Sequence, residues 1–260
     1  MSLATVILPS LARVEENFHF RRSQEWMDSW WIFSFPIGAL YLVSIFSVKS
    51  LMKSRKPYNL RRMLTMWNVG LAVFSFIGAM ACLPGLIGNL LSYGLEYGNC
   101  NIDGITRQPL RLWMFLFIIS KVLELGDTLF IVLRKSQLNF LHWYHHVTVL
   151  VYCWYAYPIL HEIGNWFGGL NYLIHTIMYS YYAFRSMGLR LPPSIAKLIT
   201  VLQILQMFVG TFLNIMSLRK SEMFDCEVQH RLAYFGLGIY TTYMILFLNY
   251  FFQRYVRKTK

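Results

Sequence analysis

The apolar run LRLWMFLFIISKVLELGDTLFIVL at positions 110–133 decides the fold class of this chain. It is longer than the roughly 20 apolar residues that a helix needs to cross about 30 Å of hydrocarbon. Lys121, Glu124 and Asp127 nevertheless lie near its centre. Ionisable groups inside a membrane span are costly and usually functional. The run therefore predicts a membrane helix that turns a polar face toward the inside of a bundle.

Similar apolar runs recur on both sides of this stretch. The predicted spans cover about 30–48, 64–83, 110–133, 140–157, 166–184, 198–216 and 232–253. Only 14% of the 260 residues are charged and 56% are hydrophobic, whereas roughly 25% are charged in an ordinary soluble domain. This composition excludes a soluble single domain and a disordered chain. We expect an N-terminal segment at 1–29, a membrane domain at 30–253 and a basic tail at 254–260.

The basic residues predict the orientation. Lys and Arg outnumber Asp and Glu by 24 to 12, and most of them follow the first, third and fifth spans or lie in the C-terminal tail. Because cytosolic loops carry the excess of Lys and Arg, we expect a cytosolic C-terminus and an N-terminus on the opposite side. The net charge fits a multi-pass membrane protein better than a nucleic-acid-binding protein.

Two of the four cysteines, Cys100 and Cys226, fall in loops on the non-cytosolic side in this topology. That side is oxidising in a secretory-pathway membrane. We predict that the two pair as a disulfide, and the alternative is two free loop thiols. Cys153 lies within a span, seven residues after His146. We interpret Cys153 as a small core residue, with a role as a nucleophile as the alternative.

Polar residues in four spans recur at helical spacing, which places each set on one helix face. The sets are Lys121, Glu124 and Thr128 with Asp127 at their edge; His142, His145 and His146; Asn171, His175, Tyr179 and Tyr182; and Thr200, Gln203, Gln206, Gly210 and Asn214. In the predicted topology these sets meet in or near the cytosolic half of the bundle. They predict a chamber with apolar walls on its far side, suited to a long apolar substrate with a polar, reactive head.

Each set also has a purely structural alternative. Lys121 and Glu124 can form an ion pair that only locks helix packing, and the amides of the sixth span can serve as hydrogen bonds between helices. The three histidines of the fourth span cover an arc of only about 100° on their helix. Three histidines on one arc are much harder to explain as ordinary core residues.

Metal binding is the sharpest competing interpretation of the histidines, because HxxHH spacing also occurs in membrane di-iron desaturases and hydroxylases. Of the seven histidines, His19, His161 and His230 lie away from the predicted chamber. The four that remain are about half of what a histidine-rich di-iron site needs, unless carboxylates replace the others. A mononuclear zinc site on His145, His146 and His175 is not excluded by counting. We predict no metal site.

Four boxes of residues resemble, in order, the signature motifs of the ELO (ELOVL) very-long-chain fatty-acid elongases. They are Lys121-x-x-Glu124-x-x-Asp127-Thr128, His142-x-x-His145-His146, His175-x-x-Met178-Tyr179-x-Tyr181-Tyr182 and Thr200-x-x-Gln203-x-x-Gln206. The Trp143-Tyr144 pair inside the histidine box resembles the pair found in the branch of this family that acts on saturated and monounsaturated chains. The resemblance implies an all-α membrane protein of seven transmembrane helices, the later six forming a bundle or barrel around an enclosed acyl-CoA tunnel.

The resemblance further implies an endoplasmic-reticulum enzyme that condenses malonyl-CoA with a long-chain acyl-CoA, giving 3-oxoacyl-CoA, CO2 and free CoA. A histidine would carry the acyl group, with His145 as first choice and His175 as second. His142 and His146 would donate to carbonyl oxygens or accept a proton. The expected substrate-binding residues are Lys121, Glu124, Asp127, Asn171, Tyr179, Gln203 and Gln206. A histidine-dependent membrane acyltransferase and a di-iron desaturase are the alternatives.

The CoA phosphates are expected to meet basic residues of the cytosolic loops. The nearest to the chamber mouth are Arg134, Lys135, Arg185 and Arg190. The resemblance implies no cofactor, because acyl-CoA and malonyl-CoA are substrates. The expected partners are these two substrates and membrane lipids, with other enzymes of an elongation cycle and a second copy of the chain as candidates. No nucleic acid is expected.

Overall fold

The computed structural model describes residues 9–100, 109–159, 163–223 and 230–257, and these are almost entirely helical, with no strand in those ranges. The α-helices are α1 (Pro9–Glu16), α2 (Phe20–Trp30), α3 (Ser34–Leu51), α4 (Arg61–Cys100), α5 (Leu110–Glu124), α6 (Gly126–Leu133), α7 (Phe140–Ala156), α8 (Ile163–Met187), α9 (Pro193–Met223) and α10 (His230–Phe251). Short 3-10 turns at Trp31–Phe33 and Met52–Ser54 flank α3, and a π-helical turn at Phe252–Val256 extends α10. The all-α class is therefore confirmed for the described residues.

Four helical runs of the described chain are long and apolar enough to cross a membrane: Phe20–Ser54, Arg61–Ser92, Pro193–Arg219 and His230–Val256. They correspond to the first, second, sixth and seventh predicted spans, and they indicate a membrane protein. Helices α5 and α6 together occupy the position of the third predicted span. Helix α7 occupies that of the fourth and α8 that of the fifth. The count of seven spans and an enclosed acyl tunnel stay predictions.

Six helices of the described chain contact one another in a closed ring. Helix α4 packs against α8, α8 against α9, α9 against α10, α10 against α7, α7 against α5, and α5 against α4. Helix α3 packs against α6 and α7. The ring thus includes a helix from each of the last six predicted spans, and their inward faces share one interior.

The third predicted span is one helical run with a local break. Helix α5 ends at Glu124, and α6 begins at Gly126. The backbone N–H of Leu125 bonds to the carbonyl of Val122, a tighter contact than the usual α-helical one. A Cβ at Gly126 would lie 2.9 Å from the Trp67 ring of α4. Only glycine therefore allows α4 this close to the break.

The N-terminal segment, α1 and α2, packs on the end of the ring where α5 begins and α7 ends. Trp113 Nε1 donates a 3.0 Å hydrogen bond to Glu15 Oε1, and the hydroxyls of Ser23 and Tyr157 lie 2.8 Å apart. Burial raises the pKa of the Glu15 carboxyl above its ordinary value, although the Trp113 bond opposes this shift. Ionisation of Glu15 as the pH rises therefore weakens the docking of this segment.

Gly78 lies where α4 and α8 make the most extensive helix contact of the described chain. A Cβ at this position would lie 2.6 Å from carbons of the Tyr172 ring, which is itself buried. We expect Gly78→Ala to destabilise the protein by about 1–3 kcal/mol through overpacking. Thermal unfolding in detergent measures this loss of stability, and we expect a lower midpoint for the variant than for the wild type.

Gly70→Ala is the matched control on the same helix, because a Cβ there meets nothing within 4 Å. Alanine is the better helix former, so this variant should be neutral or slightly more stable. Equal midpoints for the two variants would contradict the packing argument.

The predicted Cys100–Cys226 disulfide cannot be placed, because Cys226 lies outside the described residues and no contact of the Cys100 side chain is described. The pairing stays a prediction. Cys82 and Cys153 are buried free thiols, which agrees with their position inside predicted spans.

Candidate active site

A cavity of about 700 Å³ occupies the interior of the ring. It opens at the basic end of the bundle, defined here as the end that carries Arg134, Arg185 and Arg254. Nine of the eleven residues predicted as catalytic or substrate-binding line it: Asp127, His142, His145, His146, Asn171, His175, Tyr179, Gln203 and Gln206. Ligand pockets commonly measure about 300–1,000 Å³. The volume of this cavity therefore lies within the usual range for ligand pockets.

The three histidines of α7 form a contiguous cluster in the cavity wall. The His142 and His146 rings lie 4.5 Å apart between centroids, and those of His145 and His146 lie 5.6 Å apart. His142 Nε2 is 2.9 Å from the hydroxyl of Thr128, which in turn lies 2.6 Å from the Tyr41 hydroxyl of α3. His142 is thus held by α6 and, through Thr128, by α3.

The His145 ring faces the last helix of the ring. It packs 4.8 Å from the ring of Tyr243 on α10, between centroids. Within the described part of the chain, no side-chain hydrogen bond occupies the His145 ring. The Tyr243 hydroxyl bonds instead to Thr148, at 2.7 Å. His145 therefore lines the cavity with ring nitrogens that are not committed to the described residues.

Lys121 and Glu124 lie behind the cavity wall and join α5 to α8. Lys121 Nζ is 2.8 Å from Glu124 Oε1 and donates to Asn171 Oδ1 at 3.0 Å. Lys121 is only 2% exposed, so the pair is fully desolvated. The other carboxylate oxygen, Glu124 Oε2, has no hydrogen-bond partner and lies 3.9 Å from His175 Nδ1. The Glu124 carboxylate therefore lies between the Lys121 ammonium and the His175 ring.

Asp127 connects three helices at the edge of the cavity. Trp67 Nε1 of α4 donates to Asp127 Oδ1 at 2.6 Å, and the Tyr179 hydroxyl of α8 donates to Oδ2 at 2.7 Å. The Tyr179 ring packs edge-on against His175, with centroids 5.3 Å apart. Asp127 thus positions an aromatic neighbour of His175.

The amides of α9 face the same space. Gln203 Nε2 donates to the sulfur of Met178 at 3.3 Å, and Gln206 is buried in the cavity wall. Asn214, farther along α9, donates to the carbonyl of Gly210 on its own helix. Gln203 and Gln206 therefore line the cavity, whereas the Asn214 amide is hydrogen-bonded to the backbone of its own helix.

The basic residues named from the sequence separate into two groups. Arg134 and Arg185 line the cavity mouth, whereas Lys135 and Arg190 do not. Lys135 Nζ donates to the backbone carbonyls of Lys53 and Arg55, so that it ties the loop after α6 to the loop after α3.

Sequence reasoning missed Tyr243, Trp67 and Arg254. A signal for Tyr243 was present, because Tyr240, Tyr243, Phe247, Tyr250 and Arg254 recur every three or four residues along the last span, and the last three of these line the cavity. Trp67 carries no such signal, since its only polar atom is the indole nitrogen and only the hydrogen bond to Asp127 shows its role.

No group of three or more His, Cys, Asp or Glu side chains in the described ranges is arranged to hold a metal ion. The four cavity histidines are instead divided among Thr128, Tyr243, Glu124 and one another. This arrangement can supply a nucleophile, proton donors and proton acceptors to a substrate in the cavity.

Comparison with known proteins matches this chain to one family over most of its length. The family model "ELO: GNS1/SUR4 family" matches residues 26–260. The chain is 39% identical over 245 residues to very long chain fatty acid elongase 6 of Gallus gallus, covering 94% of this chain and 92% of that protein. For elongase 6 of Homo sapiens the identity is 38% over 247 residues, covering 95% and 93%. For elongase 3 of Homo sapiens it is 40% over 243 residues, covering 93% and 90%. These matches confirm the resemblance carried by the four boxes, and the chain belongs to the ELO family.

Proposed function

We propose that this protein is a very-long-chain 3-oxoacyl-CoA synthase, which condenses a long-chain acyl-CoA with malonyl-CoA to give 3-oxoacyl-CoA, CO2 and free CoA. One observation carries the proposal: four histidines from two helices line one cavity inside the helical ring, and arginines lie at its mouth. The similarity to very long chain fatty acid elongases supports the same reaction class. The Trp143-Tyr144 pair favours saturated and monounsaturated chains as substrates.

The proposed acyl-transfer step uses His145. A ring nitrogen of His145 attacks the thioester carbonyl, so that a C–N bond forms and the C–S bond breaks. The proton on the other ring nitrogen passes to the departing thiolate. Free CoA leaves, and a neutral acyl-imidazole remains. The His145 ring lines the cavity and carries no side-chain hydrogen bond within the described residues, which supports this role. The His146 ring also lacks a partner at Nδ1, but it is buried, whereas His145 is partly exposed.

The proposed condensation step consumes malonyl-CoA. Its carboxylate leaves as CO2, and the electron pair forms an enolate whose carbon attacks the acyl carbonyl. The new C–C bond forms as the C–N bond to His145 breaks, and the imidazole regains a proton from solvent. Preorganised donors stabilise the oxyanions of such a step, and His142, His146, Gln203 and Gln206 lie in the same wall to supply them.

The remaining polar residues position this machinery. Glu124 lies beside His175 and holds Lys121, which in turn holds Asn171. In this arrangement His175 is the second acceptor for an acyl group or the base that assists His145. Asp127 acts through Tyr179, whose ring packs on His175.

The basic end of the bundle suits the polar head of the substrates. Arginine binds phosphate through paired charge-assisted hydrogen bonds, and Arg134, Arg185 and Arg254 line the cavity mouth. We propose that these side chains meet the CoA phosphates and that this end faces the cytosol. The N-terminus would then be lumenal in the endoplasmic-reticulum membrane. Other enzymes of the elongation cycle would be its partners there.

Incubation of the purified protein in detergent with a long-chain acyl-CoA, with and without malonyl-CoA, tests the function. We expect 3-oxoacyl-CoA only when malonyl-CoA is present, as measured by product mass and CoA release. Acyl transfer to another acceptor without malonyl-CoA would instead indicate an acyltransferase. Oxygen consumption with bound iron and no CoA release would indicate a desaturase.

A further inference from the structure

A second, smaller cavity of about 80 Å³ lies at the end of the bundle opposite the basic end. Its wall is mainly aromatic and aliphatic, and it includes Phe20, Phe117, Cys153, Tyr157, Gly164 and Phe167. None of these residues lines the large cavity. The proposed condensation chemistry makes no use of this space.

The two cavities follow one another along α7 and α8. Along α7, Cys153 is seven residues from His146, or about 10 Å, and along α8 Phe167 is four residues from Asn171, or about 6 Å. Aromatic rings connect one cavity to the other. Ring centroids lie 4.4 Å apart for Phe167 and Tyr240, 6.4 Å for Tyr240 and Tyr243, and 4.8 Å for Tyr243 and His145. The small cavity therefore lies one to two helical turns farther along the bundle than the large one.

Lys121 marks the boundary between the polar and apolar spaces. Its ammonium group holds Glu124 and Asn171 on one side and lies 4.1 Å above the Phe117 ring on the other. A reactive head at the histidines would thus leave a hydrocarbon tail pointing past Lys121 into apolar surroundings.

The N-terminal segment forms the outer wall of the small cavity. The Phe20 ring of α2 meets Tyr157 edge-on, with centroids 6.0 Å apart, and the Arg111 guanidinium lies 5.4 Å from the Phe20 ring centre. Met27, one turn beyond Ser23 on α2, is completely buried. Together with the Ser23–Tyr157 and Glu15–Trp113 hydrogen bonds, these contacts hold Phe20 in place.

We propose that the small cavity receives the methyl end of the acyl chain and that the N-terminal segment, through Phe20, limits the length of chain the protein accepts. This inference rests on the proposed condensation activity and assigns a role to a segment in which the sequence shows no motif. A chain that is too long would have to displace the docked segment, whereas a shorter chain would leave the cavity partly empty.

Two variants change the cavity in opposite directions. Phe20→Ala removes the wall and should favour longer substrates, whereas Gly164→Leu adds volume to the wall and should favour shorter ones. A Cβ at Gly164 meets nothing within 4 Å, so the added side chain has room. Trp26→Ala is the control, because Trp26 is a half-exposed ring on the same helix that does not line the cavity.

The measurement is kcat/KM with malonyl-CoA for a series of saturated acyl-CoAs that differ by two carbons. Phe20→Ala should raise the ratio of the next longer substrate to the best wild-type substrate by about tenfold, since each methylene in an apolar pocket is worth roughly that factor or more. Gly164→Leu should lower the same ratio by a similar factor, and Trp26→Ala should leave it unchanged.

The outcomes separate this inference from the proposed function. Condensation by the wild type with unchanged length ratios in both cavity variants would overturn the role of the N-terminal segment alone. No malonyl-dependent condensation by the wild type would overturn the function itself. If Phe20→Ala does not fold, the milder Phe20→Leu decides the question. A shift toward longer substrates in Phe20→Leu supports the role of the N-terminal segment, and no shift overturns it even if Gly164→Leu favours shorter substrates.

Discussion

Replacing His145 with alanine is expected to lower kcat for condensation by at least about 10³-fold, since removal of a nucleophile that works as part of a catalytic unit costs that much or more. The reason is that no bond can then form between the protein and the acyl carbon, while the cavity and its basic mouth stay in place. The same variant should lose the covalent adduct that accumulates when acyl-CoA is supplied without malonyl-CoA. Intact-protein mass spectrometry measures that adduct directly, as an added mass equal to the acyl group.

His19→Ala is the matched control, because His19 is an exposed histidine at the start of α2, away from the cavity. It should retain both the adduct and turnover. His142→Ala should slow the reaction but keep the adduct, since the His142 ring is bonded to Thr128. If His142→Ala loses the adduct while His145→Ala keeps it, the assignment of the nucleophile is wrong. An adduct on His175 in the His145 variant would place the acyl group on the second candidate.

The second large effect concerns stability and comes from the buried Lys121–Glu124 pair. Glu124→Gln removes one charge and leaves the Lys121 ammonium uncompensated in a site where it is 2% exposed. Breaking a buried ion pair in this way typically costs about 3–5 kcal/mol. We expect a correspondingly large fall in the thermal unfolding midpoint in detergent, with loss of activity because Asn171 and His175 lose their support.

The double variant Lys121→Met with Glu124→Gln distinguishes charge from packing. Replacing both members of a buried pair is often close to neutral, so the double variant should recover much of the stability that Glu124→Gln loses. Lys49→Met, at an exposed lysine of α3, should change stability by no more than about 0.5 kcal/mol. A double variant less stable than Glu124→Gln would show that Lys121 is not held by Glu124.

The histidine box shows how much of the site could be predicted. His142, His145 and His146 share one arc of α7 because the helix repeats every 3.6 residues, and that local rule holds whatever surrounds the helix. The same rule placed Asn171 and His175 on one face of α8. Helical spacing could not distinguish residues that line the cavity from residues that lie behind its wall. It therefore did not indicate that Lys121 and Glu124 lie behind the cavity while Gln206 faces it.

The basic loops show the opposite case. Arg134 and Lys135 are neighbours in the sequence and equal in charge, yet Arg134 lines the cavity mouth and Lys135 donates to the carbonyls of Lys53 and Arg55. Which of two adjacent side chains faces a cavity depends on the path of the loop. The loop path in turn depends on contacts with residues some 80 positions away.

By itself, the sequence determined the helical class, the apolar character and the identity of the histidines, because each of these follows from composition or from spacing within one helix. The family was identified by the resemblance of four boxes on four spans. Only the tertiary structure decided that Asp127 holds Trp67 and Tyr179, that Tyr243 packs on His145, and that the N-terminal segment packs against the start of α5. These contacts join residues far apart in the chain. Their partners are chosen by how the helices pack, and periodicity within one helix carries no information about that packing.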